Sequence, residues 1–95
     1  MTVRELHPQQ ALHVESGVTL GGAGREAMAL RLGEHVLTLP VDRGYRQLRF
    51  FIPTEPRWDD DGELLPPEIA DNLQAIITEI AVFWEQEPEF RSIFR

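Results

Sequence analysis

The sequence predicts an α+β fold: a small antiparallel β-sheet of hairpins with one long C-terminal amphipathic helix packed across it. Three observations lead there. The first half is a series of short β-rich runs broken by glycine-containing turn signals. The second half holds one long apolar run with helical period. The length, 95 residues, suits a single domain, residues 1–95, built of two layers.

The elements follow in chain order. Ala11-Leu12-His13-Val14-Glu15 alternates weakly, Ser16-Gly17 punctuates it, and Val18-Thr19-Leu20 resumes as a strand. Gly21-Gly22-Ala23-Gly24 reads as a turn or flexible loop. Arg25 to Leu32 is ambiguous. Met28, Leu30 and Leu32 alternate as in a half-buried strand, yet the same stretch is built from good helix formers. Gly33 ends it quickly and another strand follows, which favours strand. His35 to Val41 is that strand, with Pro40 marking a sheet edge or a strand end. Asp42-Arg43-Gly44 supplies a hairpin turn, with Gly44 available for positive φ, and Tyr45 to Ile52 runs back.

Pro53 to Pro67 changes character: four prolines, a glycine and a run of acids predict an irregular connection. Pro66-Pro67 then opens the helix, and Glu68 and Asp71 suit the positive end of its dipole. Ile69, Leu73, Ile76, Ile80 and Phe83 fall at alternating steps of four and three, which is one helical face. Ala70, Ile77, Ala81 and Trp84 widen the stripe, enough that one thin sheet would not cover it all. Pro88 ends the helix, and Glu89 to Phe94 is expected as a terminal turn, with Phe90, Ile93 and Phe94 reaching back to the core.

Composition narrows the function. The chain has no cysteine, which removes disulfides, a thiol nucleophile and thiolate metal ligands together, and points to a reducing cytoplasm. The first residues carry no apolar run of signal-peptide length, and no stretch approaches the roughly 20 apolar residues of a membrane span. Net charge is −7, unevenly placed: residues 1–52 hold six arginines and five acids, residues 53–95 three arginines and eleven acids. Such a domain repels phosphate, so nucleic acid is not the expected partner; a basic protein surface is.

The search for chemistry finds little. Ser16 and Ser92 lie in no nucleophile motif. His7, His13 and His35 are scattered, lack metal-pair spacing, and read as partly exposed strand or loop residues. The glycine run Gly21 to Gly24 is not followed by the lysine and hydroxyl of a phosphate loop. Aligning Gly62 with the glycine of a calcium loop puts Asp59, Asp61 and Glu68 at ligand positions, but Arg57 then occupies the first and Pro66-Pro67 stiffen the end. Arg43, Arg46 and Arg49 beside Tyr45, Phe50 and Phe51 would suit base stacking, yet Arg46 falls on the opposite strand face from the other two. The expectation is a chain without catalytic residues, metal or cofactor.

Trp58 stands out within Glu55-Pro56-Arg57-Trp58-Asp59-Asp60-Asp61. A tryptophan among charges and prolines is either a loop anchor in the core or an interface hot spot. With Glu55, Asp59, Asp60, Asp61 and Glu63, it forms the candidate partner-binding site; the carboxylates would steer a cationic partner.

The stretch from Arg49-Phe50-Phe51-Ile52 through Trp58, then Leu64, Pro66, Glu68, Ile69, Ile76 and Ile77, resembles small α+β immunity proteins of bacterial polymorphic toxin systems. The likeness spans roughly the last half of the chain and leaves out the Gly21 to Gly24 loop and the aspartate triplet. It implies a cytoplasmic, non-enzymatic protein that binds and neutralises a cognate bacterial toxin, which the acidic charge of the chain predicts to be basic. The alternative class is a small acidic chaperone or adaptor of a secretion system, a homodimer through uncovered helix or sheet surface.

Overall fold

The computed structural model describes residues 2–93. Seven strands run in chain order across one sheet: β1 (Val3–His7), β2 (Gln10–His13), β3 (Val18–Gly22), β4 (Ala27–Leu32), β5 (His35–Gly44), β6 (Gln47–Pro53) and β7 (Glu87–Ile93). Neighbours pair antiparallel from β1 to β6, whereas β6 and β7 are parallel. The link between those two is helical: one turn, α1 (Pro67–Ala70), then α2 (Leu73–Phe83). A parallel pair requires such a crossover, because a tight turn cannot return the chain to the same direction.

The alternating pattern of the first half becomes a buried row. Ala11 faces Leu20, Leu20 faces Leu30, and Leu30 faces Leu37 in adjacent strands, all buried. Leu39, Val41, Leu48 and Phe50 extend this face, and α2 covers it with Leu73, Ile76, Ile77, Ile80 and Ala81. The Arg25–Leu32 ambiguity resolves as strand, since Leu30 and Met28 are needed in that row.

Several expectations change. The sheet is larger than the small antiparallel one expected, and the long helix is shorter. Asp71-Asn72, both poor helix formers, interrupt it: Asn72 leaves helical geometry at φ −112°, ψ 10°, and its Nδ2 donates to the Glu68 carbonyl at 2.8 Å. The buried stripe of α2 is centred on Ile77 and Ala81, so Phe83, expected in the core, is 44% exposed beside Val82 at 61%. The terminal segment is a strand rather than a turn. Phe90 stacks on Phe50 with ring centroids 5.9 Å apart, and Pro88 sits where a missing N–H is tolerated, in the sheet's last strand. Phe94 lies outside the described residues. Val3–His7, which carries little apolar pattern, forms β1.

Pro40 does not end a strand. It marks the point where β5 changes partner: up to Pro40 the strand pairs with β4, and from Val41 onward with β6. The following turn is Tyr45-Arg46, with Arg46 at φ 57°; Gly44 stays in the strand.

Candidate functional site

The partner switch in β5 leaves one side of His35 to Pro40 without a strand beside it, since β6 pairs only with Val41–Gly44. The acidic loop fills that place. Asp59 donates its backbone N–H to the Val36 carbonyl at 2.7 Å, and its Oδ2 accepts the Thr38 N–H at 3.0 Å. Asp60 Oδ1 accepts the Val36 N–H at 3.2 Å. The two aspartates thus satisfy alternate donors of an otherwise bare edge, as a neighbouring strand would.

The loop is folded on itself as well. Trp58 donates its N–H to the Glu63 carbonyl at 2.9 Å, and Gly62 returns its own to Trp58 at 3.0 Å. Gly62 turns the chain at φ 74°, which suits a residue without Cβ. Asp61 Oδ1 accepts the Glu63 N–H at 2.9 Å, and Arg57 donates to the Gly62 carbonyl at 3.1 Å.

Trp58 is a core anchor. Its side chain is 3% exposed, belongs to the central apolar cluster and stacks on the His35 ring at 5.1 Å and 17°. The hot-spot reading of its ring is therefore corrected: a partner approaching the loop meets carboxylates, not indole. The six candidate residues separate by task. Asp59 and Asp60 cap β5, and Asp61 supports the turn. Glu55 lies 3.6 Å from Arg57, and Glu63 makes no side-chain hydrogen bond or ion pair among the described residues. Apart from Trp58, the other five are exposed.

His35 of β5 and the loop's aspartates form a cluster of ionisable groups. His35 Nδ1 lies 3.0 Å from Asp60 Oδ2 and 3.5 Å from Asp61 Oδ2. Partial desolvation acts to raise the Asp60 carboxyl, but the Val36 N–H, its own N–H and the His35 ring outweigh it and hold the pKa below the usual value. The three ligand atoms lie within 4.8 Å of one another, a spacing that suits one cation and equally suits an imidazolium shared by two carboxylates. Asp59 and Asp61 each give one carboxylate oxygen to backbone, that of Thr38 and of Glu63, and Glu68 lies in α1.

One arrangement escaped sequence reasoning. His13, expected to be partly exposed, is buried; its Nδ1 lies 2.8 Å from Ser16 Oγ and its Nε2 hydrogen-bonds Glu79 of α2. The partners stand 3 and 66 residues away, and only the short one has a sequence signal, a turn at Ser16-Gly17. The chain of groups joins β2 to α2, and Ser16 Oγ is held in its own turn, accepting the Val18 N–H at 3.2 Å. Of the three arginines, Arg49 pairs with Glu89 and Asp42, Arg43 donates to the Arg25 carbonyl, and Arg46 lies 5.5 Å over the exposed Tyr45 ring.

Among the described residues, no helix is long and apolar enough to cross a membrane. Comparison with protein-family models, with curated proteins and with solved structures finds no match.

Proposed function

We propose that this chain is a non-catalytic, cytoplasmic protein-binding domain of the immunity type, which neutralises a basic bacterial toxin by holding it on the loop from Glu55 to Glu63. The observation that carries the reading is a rigid acidic surface. Glu55, Asp59, Asp60, Asp61 and Glu63 are all exposed on a backbone pinned by Trp58 in the core and by hydrogen bonds to β5. A loop already ordered loses little entropy on docking, and a dense row of carboxylates speeds encounter with a cationic face. The resemblance of residues 49–77 to small immunity proteins supports the same class.

The test uses the two carboxylates whose side chains accept no backbone hydrogen bond in the loop. Partners captured from the native host's lysate are identified, and association is then measured for wild type and for Glu55→Gln/Glu63→Gln. The double variant should associate about tenfold more slowly at low salt, with the difference shrinking as ionic strength rises. Equal rates at every salt concentration would remove the loop as the docking face. The second reading, a dimeric acidic adaptor, draws on Val82 and Phe83, whose exposure leaves apolar surface on α2.

A further inference from the structure

β1 lies four strands from β5 in the sheet order, and its outer edge pairs with no strand among the described residues. A groove of about 520 Å³ runs beside it, lined by Thr2, Val3, Thr78, Glu79, Val82 and Phe83. Its lining is mostly apolar, with Glu79, hydrogen-bonded to His13, as its one acid. Val3 opposes buried His13 and Glu5 opposes buried Ala11, so Val3 and Glu5 share the face that looks toward α2. At the groove's end, the Glu15 carboxylate accepts the Thr2 N–H at 2.9 and 3.0 Å. Arg4 opposes Leu12 and therefore points to the other face. An open strand edge offers backbone donors and acceptors to an incoming extended segment.

A second copy of the chain fits this edge poorly. Two antiparallel strands related by a two-fold axis keep their faces only if the axis passes between a residue and its own copy. The one register that pairs all of β1 is centred on Glu5 and sets Glu5 directly opposite its own copy, which destabilises a ladder.

We propose that this edge and groove receive an extended, basic segment of a partner protein. The segment pairs with β1 as an eighth strand, sets an apolar side chain between Val3 and Phe83, and lays lysine or arginine over Glu5 and Glu15. The surface is separate from the acidic loop, so either site can fail without the other.

The isotope-labelled full chain would be titrated with a peptide of about ten residues that repeats valine-threonine-lysine-threonine, so that valine and lysine follow one another on one strand face, long enough to span β1. Amide shifts and slowed amide exchange should concentrate on residues 2–7 and 78–83. Binding should weaken at least about tenfold for Phe83→Ser, for Glu5→Lys, and for the same peptide N-methylated at alternate residues, which keeps its charge but cannot form the ladder. Both substituted residues are exposed, so folding is not at stake. Equal binding of the N-methylated peptide, or shifts confined to residues 55–63, would overturn the proposal. So would light scattering that shows a dimer dissolved by Phe83→Ser, since the occupant would then be a second copy.

Discussion

Trp58 has prolines and charges on both sides in the chain, yet it ends up 3% exposed against His35. Its neighbours explain this: Pro56, Asp59 and Asp60 bind backbone, leaving the indole to face inward. Trp58→Ala should therefore cost about 3–5 kcal/mol in urea denaturation, as for other large core truncations. A change within the error of the measurement would mean the ring is not buried in solution. Asp60 carries a pH prediction. Its folded pKa lies below the ordinary 3.8, so the ionised carboxylate stabilises the fold above that value, and the contribution is lost as pH falls through the lower, folded value. Wild-type stability should therefore fall more steeply than that of Asp60→Asn below about pH 4. Glu15, held low first by the Thr2 N–H, adds the same limb to both proteins and does not disturb the comparison. Identical acid limbs would show that Asp60 gains nothing from its partners. The sequence showed that these residues were unusual; which of them bind backbone depended on β5, more than 20 residues earlier.

The elements show where periodicity is a reliable guide and where it is not. The apolar repeat from Ile69 to Ile80 marked helical structure, because its period is set by the residues themselves, but not the break at Asp71-Asn72 that divides it into α1 and α2. It did not mark the helix's outer limit of burial, which depends on how far the sheet reaches. Ile77→Ala should cost about 2–5 kcal/mol, whereas Val82→Ala should stay within about 0.5 kcal/mol. Thermal or urea unfolding of the pair would check the assignment, and comparable losses would contradict the observed orientation of α2. β1 and β7 were hard to read for a different reason. Edge strands bury only one flank, so Val3–His7 and Glu87–Ile93 keep many polar side chains and a proline. Pro40 was legible as one of its two alternatives: it marks a sheet edge rather than a strand end, because up to Pro40 β5 has a strand on only one flank.

At the scale of the molecule, α2 packs against strands from both ends of the chain order, β1 to β3 on one side and β7 on the other. β7 thus closes a core begun by the N-terminal meander. A chain terminated after Gln86 would lose Phe90 from Phe50 and one wall of α2. Circular dichroism should show that it has no cooperative unfolding transition, while a retained transition would demote β7 to decoration. Polarity is organised on the same scale, with an acidic loop beside β5 and a mostly apolar groove beside β1. By itself the sequence determined the class of fold, the hairpins of the first half, the helix, the acidic balance and the loop at Trp58. These follow from local turn chemistry, from periods of two and 3.6 residues, and from composition, each carried within a short window. Only the tertiary structure decided the parallel β6–β7 pair, the inward turn of Trp58, the burial of His13 beside Glu79 and the exposure of Phe83. Each of these depends on which distant backbone donors and apolar faces are left unpaired once the sheet has formed, and no local window contains that information.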